Sequence, residues 1–454
     1  MRKISVITPC YNVEQYIKQF LDCIVNQTIG IENIELILID DCSTDSTSDI
    51  IREYEQKYPD TIIAIFNEKN VKQGTCRNIA LDNYVTGDYF CFIDSDDIVP
   101  PYYLEYLYNT ATYCHADVIQ LNFSYNLADI PESPELLTYD TYICDTTDKR
   151  RQLIIGADYL NESCTCKFIL KSYYDRYHFH FAEGVAYEEP LFTHPIKHTA
   201  DVICRINEPL YYYRYNPNGT IISYMQNYDT IYQHMLVQLE TFNYVKNNLA
   251  NDKYIHEMEL YFIHSFCYET IMFLNTRHMP VTTELFRYMC SVTNMIIPDI
   301  PSNPYFGING TYSYKAVADY IDAYNHGADI NENNKSIERN LMENIHMKQP
   351  ADTEEYVESS ILEDEQWHKE YDESLLSLTD SISHFLKVNT VNSLYTLCTF
   401  LTTPDIIKTF RNIPDIAHCL VAANITATEF NNNITTTLYL KDTYDISGVI
   451  KKHI

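Results

Sequence analysis

Glycine is scarce in this sequence, ten residues out of 454. A loop that wraps a triphosphate needs several glycines with a lysine beside them, and Thr8 to Val13, after the first apolar run, offers neither. Basic charge is also thin. Against 63 acidic side chains stand 32 Lys and Arg, a formal charge of -31, which argues against a nucleic-acid backbone or an anionic membrane as principal partner. A local basic pocket for a phosphate stays open. There is no run of roughly 18 apolar residues, so no bilayer-spanning segment is expected. No charged-then-apolar leader is visible and the 14 cysteines lack regular spacing, so reduced cytoplasmic thiols are expected rather than a disulfide framework. Cys164 and Cys166 have no second pair to complete a zinc site.

What is present is ample apolar material. Hydrophobic residues make up 46% of the chain, and its length suits roughly two to four domains. The first hundred residues alternate short apolar runs with stretches at helical spacing. Runs 4–8, 34–39, 61–66 and 89–93 are almost continuously apolar, as parallel strands covered on both faces must be. Between the first two, Val13, Ile17, Phe20, Leu21, Ile24 and Val25 recur at i, i+3, i+4 steps and predict one amphipathic helix. Ser43 and Asp45 are expected to cap the next, which runs to about Lys57. The fold class is therefore α/β, a doubly wound sheet whose ligand site lies outside the carboxyl ends of its strands.

Polar residues collect at those ends. The first run ends in Thr8, Pro9, Cys10, Tyr11 and Asn12, the second in Asp40, Asp41, Cys42 and Ser43. Asn67, Asn70, Gly74 and Arg77 follow the third, and Asp94, Ser95, Asp96 and Asp97 the fourth. Singly these are turn formers and helix caps. On one edge they supply an aromatic face for a base, a carboxylate for a ring N–H or ribose hydroxyl, an arginine for phosphate and carboxylates for a metal. Mn²⁺ or Mg²⁺ bridging a diphosphate takes one or two protein oxygens, which an Asp-x-Asp step provides. Gly74 is expected to let backbone approach a ligand closely.

Four segments in order, Val6 to Asn12, Ile39 to Asp45, Arg77 to Ile79 and Phe92 to Asp97, resemble family 2 glycosyltransferases, the inverting nucleotide-sugar enzymes with the GT-A fold. The resemblance is close over about residues 1–125 and extends to about 225. It implies that Pro9, Tyr11 and Asp41 hold the uracil end of a UDP-sugar, with Thr8, Asn70, Gly74 and Ser95 also binding the donor. It assigns Arg77 and Asp94 to ribose and diphosphate, and Asp96 to the metal. Cys42 departs from the family's usual Gly, so its tight turn is expected to be made differently. Glu188, Glu189, Pro190, Leu191 and Phe192 stand where the family shows its catalytic acids, and by that alignment Glu189, in place of the usual Asp, is the base beside Glu188. Arg214 is expected as a second phosphate contact.

The implied activity is metal-dependent transfer of a hexosyl or N-acetylhexosaminyl group from a UDP-sugar to a surface polysaccharide, teichoic-acid-like (polyol-phosphate) or lipid-linked acceptor. A weakened nucleotide-sugar-binding relative and a nucleotidyltransferase on a similar sheet are the alternatives. Asp97 reads as a helix cap, His194 and His198 as structural, and the alternating spacing of His178 and His180 fits a strand as well as a ligand pair. The expected organisation is a transferase domain at 1–227, a helical extension at 228–330, an acidic linker or helix at 331–370 and a mainly helical domain at 371–454, with a short strand at 435–440. Homo-oligomerisation through the C-terminal region and peripheral contact with the inner face of the membrane are compatible with this arrangement.

Overall fold

The computed structural model describes residues 3–306, apart from 157–158, 218, 220–227, 251–252, 278 and 280, together with 317, 318, 321 and 322. The expected linker, C-terminal domain and strand at 435–440 lie outside the described residues.

The four apolar runs form β1 (Ile4–Cys10), β2 (Ile34–Asp40), β3 (Ile62–Phe66) and β4 (Tyr89–Phe92). They pair in parallel, β1 lying between β2 and β4 and β3 outside β2. Each strand alternates its side chains between two packed layers. Ile4, Val6, Leu36 and Leu38 enter one layer, while Ile7, Ile37 and Ile39 enter the other. Burial on both faces explains why all seven residues of β2 are inaccessible, each large aliphatic contributing about 1.5–3 kcal/mol.

Helices α1 (Ile17–Val25), α2 (Thr47–Lys57) and α3 (Gln73–Asn83) connect these strands. The first starts four residues later than Val13 suggests, because Val13 N–H donates to Thr47 Oγ1 at 2.8 Å and ties the exit of β1 to the start of α2. Ser43 does not cap α2; its hydroxyl accepts Asn12 N–H. Asp45 takes the Thr47 N–H at 2.9 Å, so the cap expected of the pair belongs to Asp45 alone.

The second half of the sheet is mixed. After α4 (Tyr103–Cys114) come β5 (Val118–Ser124), β6 (Tyr139–Ile143), α5 (Thr147–Ile155), β7 (Lys167–Leu170), α6 (Lys171–Tyr177), α7 (Glu189–Thr199) and β8 (Val202–Tyr212). The complete order is β3-β2-β1-β4-β7-β5-β8-β6, with β7 antiparallel to both neighbours and β5 parallel to β8. His178 and His180 are not a strand pair. His178 closes α6 in the left-handed region at φ 50°, and His180 Nε2 lies 2.9 Å from Asp82 Oδ1.

By its contacts the chain divides into Met1–Phe273 and Leu274–Ile454. The helix α8 (Tyr228–Val245) therefore belongs to the sheet's unit, where Val237 packs with Ala182 and Leu191 near the start of α7. No helix among the described residues is long and apolar enough to cross a membrane.

Candidate active site

The strand exits meet along one edge. Tyr11 stands at the end of β1 with 48% of its surface exposed, presenting an open ring. Thr8, three residues earlier in the strand, is buried and donates its hydroxyl to Ile93 O at 2.7 Å, fastening β1 to the exit of β4. Pro9 is half-buried beside it. Asp41 is buried and knits the following loop: Oδ1 accepts Asn67 Nδ2 and Val71 N–H, and Oδ2 accepts Lys72 N–H at 2.9 Å. Asn70 is exposed on that loop. Cys42 makes the tight turn as a glycine would, in the left-handed region at φ 64°, so the departure in residue type does not change the turn.

Gly74 has a role other than the expected approach of backbone to ligand. A Cβ there would come within 2.4 Å of Ala182 O and 2.8 Å of Glu188 Cγ, so its missing side chain admits the segment that carries the acids. One turn on, Arg77 is buried with its guanidinium occupied on both sides. Nη2 bonds Asp94 Oδ1 at 2.9 Å, Nη1 bonds Glu188 Oε1, and the rings of Phe92 and Phe181 flank it at 5.9 and 5.3 Å. Arg77 thus joins the Asp-x-Asp step to the Glu188–Glu189 pair across 111 residues of sequence.

Glu188 is buried, also accepts Gln73 Nε2 at 3.2 Å, and is pushed up to about 7 by burial, with Arg77 pulling the other way. Glu189 opens α7 and remains half-exposed. Its Oε1 accepts Cys164 N–H at 2.7 Å, which fixes the carboxylate despite its extra methylene.

The acidic triplet is anchored from β8. Tyr211 Oη donates to Asp97 Oδ2 at 2.6 Å and accepts Asp94 N–H, while Arg214 N–H donates to Asp97 Oδ1. Asp97 is therefore a buried tie to β8 and not a helix cap; burial, then Asp94 and Asp96, push it up to about 8. Asp96 accepts Asn216 Nδ2 at 2.8 Å and is raised by burial and by Asp94, and Ser95 is buried between them. Burial, followed by Asp94, Asp97 and Asp96, raises the Tyr213 hydroxyl. Arg214 turns its guanidinium to Gln19 Oε1 at 2.9 Å and over the Tyr16 ring at 5.1 Å. His194 stacks on Tyr261 with ring centroids 3.5 Å apart, and His198 Nε2 lies 3.3 Å from His194 Nε2, a packing role between helices.

Two residues without an assigned role hold the second half in place. Asn78 accepts Phe181 N–H and donates to Phe181 O and Glu183 Oε1, setting the segment before the glutamates. Lys167 is completely buried in β7, donating to Gln120 Oε1, Asn161 O and Ser163 O, so it shapes the loop whose next residue, Cys164, holds Glu189. A lysine inside an apolar strand was the available signal.

The glycosyl transferase family 2 model matches residues 5–177. Minor teichoic acid biosynthesis protein GgaB of Bacillus subtilis is 46% identical over 95 residues, 21% of this chain and 10% of that protein. Poly(ribitol-phosphate) beta-glucosyltransferase of Bacillus spizizenii is 37% identical over 116 residues, 26% of this chain and 18% of that protein. The chain thus matches less than a fifth of the length of either relative. The crystal structure of S. aureus TarS 1-349 in complex with UDP superposes with a TM-score of 0.55 at 19% identity, over 80% of this chain and 94% of that one. Residues 5–177 are thus similar to the glycosyl transferase family 2 model, and the superposition shows that the sheet has the GT-A fold.

Proposed function

We propose that the protein is a metal-dependent, inverting glycosyltransferase that moves a hexosyl or N-acetylhexosaminyl group from a UDP-sugar to an acceptor hydroxyl. The observation that carries this reading is the Arg77 bridge, which joins the Asp94–Asp96 step to the Glu188–Glu189 pair. Tyr11 offers its ring to the base and Asp41 Oδ2 an acceptor for the ring N–H. Asn70 and Gly74 belong to the loop and helix start below the nucleotide, and Asp94 faces the ribose and diphosphate.

The donor set fits a divalent cation. Asp94 and Asp96 are half-exposed oxygen donors, and burial and then the Asp94 charge raise the Asp96 carboxyl, a cost that a cation relieves. Asp96, with Asp94, would hold Mn²⁺ or Mg²⁺, which when bound neutralises charge developing on the departing diphosphate. Diphosphate and water oxygens would complete the shell of such a cation. Glu189 takes the proton from the acceptor hydroxyl as its oxygen attacks the anomeric carbon, and the nucleoside diphosphate leaves from the opposite face. The Cys164 N–H holds one oxygen of Glu189 and leaves the other for the acceptor. About 1 Å of misplacement costs on the order of a hundredfold in rate, so this anchor is what lets Glu serve where Asp is usual. Arg77 and Glu188 are positioning residues behind the reacting groups, and Arg214 approaches the diphosphate only by leaving Gln19.

The similarity to a minor teichoic acid biosynthesis protein and to a poly(ribitol-phosphate) glucosyltransferase favours a bacterial surface-glycan acceptor. A cytoplasmic location follows from this reading. A thermal-shift panel of UDP-, GDP- and dTDP-sugars with Mn²⁺ tests the donor: UDP compounds should give the largest shift, and equal shifts across the panel would remove the assignments of Tyr11 and Asp41.

A further inference from the structure

Beyond the donor edge, the end of β5 and the segment after β8 bring three aromatic rings together. Phe123, Tyr125 and Tyr213 meet with centroids 5.4 to 5.9 Å apart, Tyr125 standing at 86° to Phe123 and 72° to Tyr213. They are not core. Tyr125 is 68% exposed and Phe123 38%, while only Tyr213 is largely covered. The group is held from behind: Tyr213 N–H donates to Ser124 O, Ser124 Oγ donates to Asp129 Oδ2 at 2.6 Å, and Asn126 closes the same loop onto Asp129. It also sits beside the reacting centre, since Arg214, the residue after Tyr213, donates its N–H to Asp97.

Charge decides what could lie there. The loop that follows β5, residues 125–138, carries three acidic residues and no Lys or Arg, so this side of the rings disfavours a polyanion. Exposed, rigid rings next to hydrogen-bonding side chains suit a neutral ligand with apolar C–H faces and hydroxyl edges. We propose that Phe123, Tyr125 and Tyr213 form the acceptor subsite and stack a neutral sugar ring of a glycan, not a polyol-phosphate unit, against the transfer centre. This rests on the transferase reading and narrows its acceptor class.

The test uses the full chain with UDP and Mn²⁺. Neutral tetrasaccharides built on glucose, galactose and N-acetylglucosamine, and a ribitol-phosphate oligomer, are titrated by saturation-transfer NMR against wild type and the double variant Phe123→Ala/Tyr125→Ala. At least one tetrasaccharide should bind wild type through its ring protons, more tightly than the phosphate oligomer, and the double variant should bind it about tenfold more weakly. The UDP-induced thermal shift should be unchanged in the variant, which shows an intact fold and donor pocket. Stronger binding of the ribitol-phosphate oligomer, undiminished binding by the variant, or no tetrasaccharide binding overturns the subsite. Failure of wild type to bind UDP instead overturns the transferase reading and takes the subsite with it.

Discussion

On the parallel side of the sheet, β1 to β4, each candidate group hangs from a strand exit that apolar periodicity alone locates, and the exits are aligned by uninterrupted registers. On the mixed side, β5 to β8, the groups come from residues 160–216 and are placed by single long-range contacts: Arg77 on Glu188, Lys167 on Gln120, Tyr211 on Asp97. Backbone pairing positions the donor half, whereas buried polar side chains position the half that carries the base. Such side chains are satisfied only as complete sets, so the mixed half should be the more fragile.

The sharpest way to break this comparison is Arg77→Met. It leaves Glu188 buried without its cation and should cost about 3–5 kcal/mol by urea unfolding. A loss within about 0.5 kcal/mol, ordinary for a surface site, would mean the halves do not depend on this bridge. Lys167→Met comes next, at about 2–3 kcal/mol, because Asn161 O and Ser163 O lose a buried donor. Burial lowers the Lys167 ammonium to about 8, against about 10.4 in an unfolded chain. Between those values the unfolded chain binds more protons, so this residue's contribution is complete above about 10.4 and is lost as pH falls through about 8. The advantage of wild type over the variant should therefore widen as pH rises through that window, and a constant gap in pH-dependent unfolding would contradict the burial.

Gly74→Ala tests the seam between the halves. Its Cβ meets a backbone carbonyl that cannot turn aside, so the expected loss is about 1–3 kcal/mol despite the better helix former. A gain in melting temperature would show that Ala182 and Glu188 are not packed there. Smallest is Tyr11→Ala on the donor side, which should leave stability within about 0.5 kcal/mol yet weaken UDP binding about tenfold by calorimetry. A large loss of stability there would make the donor half no more robust than its neighbour.

This contrast also governs what was legible in the sequence. The four parallel strands and their exits could be read within a residue or two, since burial on both faces leaves a continuous apolar run. Asp97 could not, because its partner Tyr211 lies 114 residues away and nothing local distinguishes a buried tie from a helix cap. Gly74 was recognisable as a site of close approach, but its neighbour proved to be the Glu188 segment. Cys42 and Ser43 were misread for a shared reason: their conformations answer to Glu68 and Asn12, residues of adjoining strand exits. Only assembled strands make such contacts visible.

The central claim is that the anchored Glu189 acts as base across the cleft from the Asp94–Asp96 step. Release of UDP from a UDP-sugar with Mn²⁺ and acceptor, compared between wild type and Glu189→Gln, tests it most directly. The account predicts a fall of about 10²- to 10⁴-fold with UDP affinity unchanged, whereas equal rates in the two proteins would contradict it.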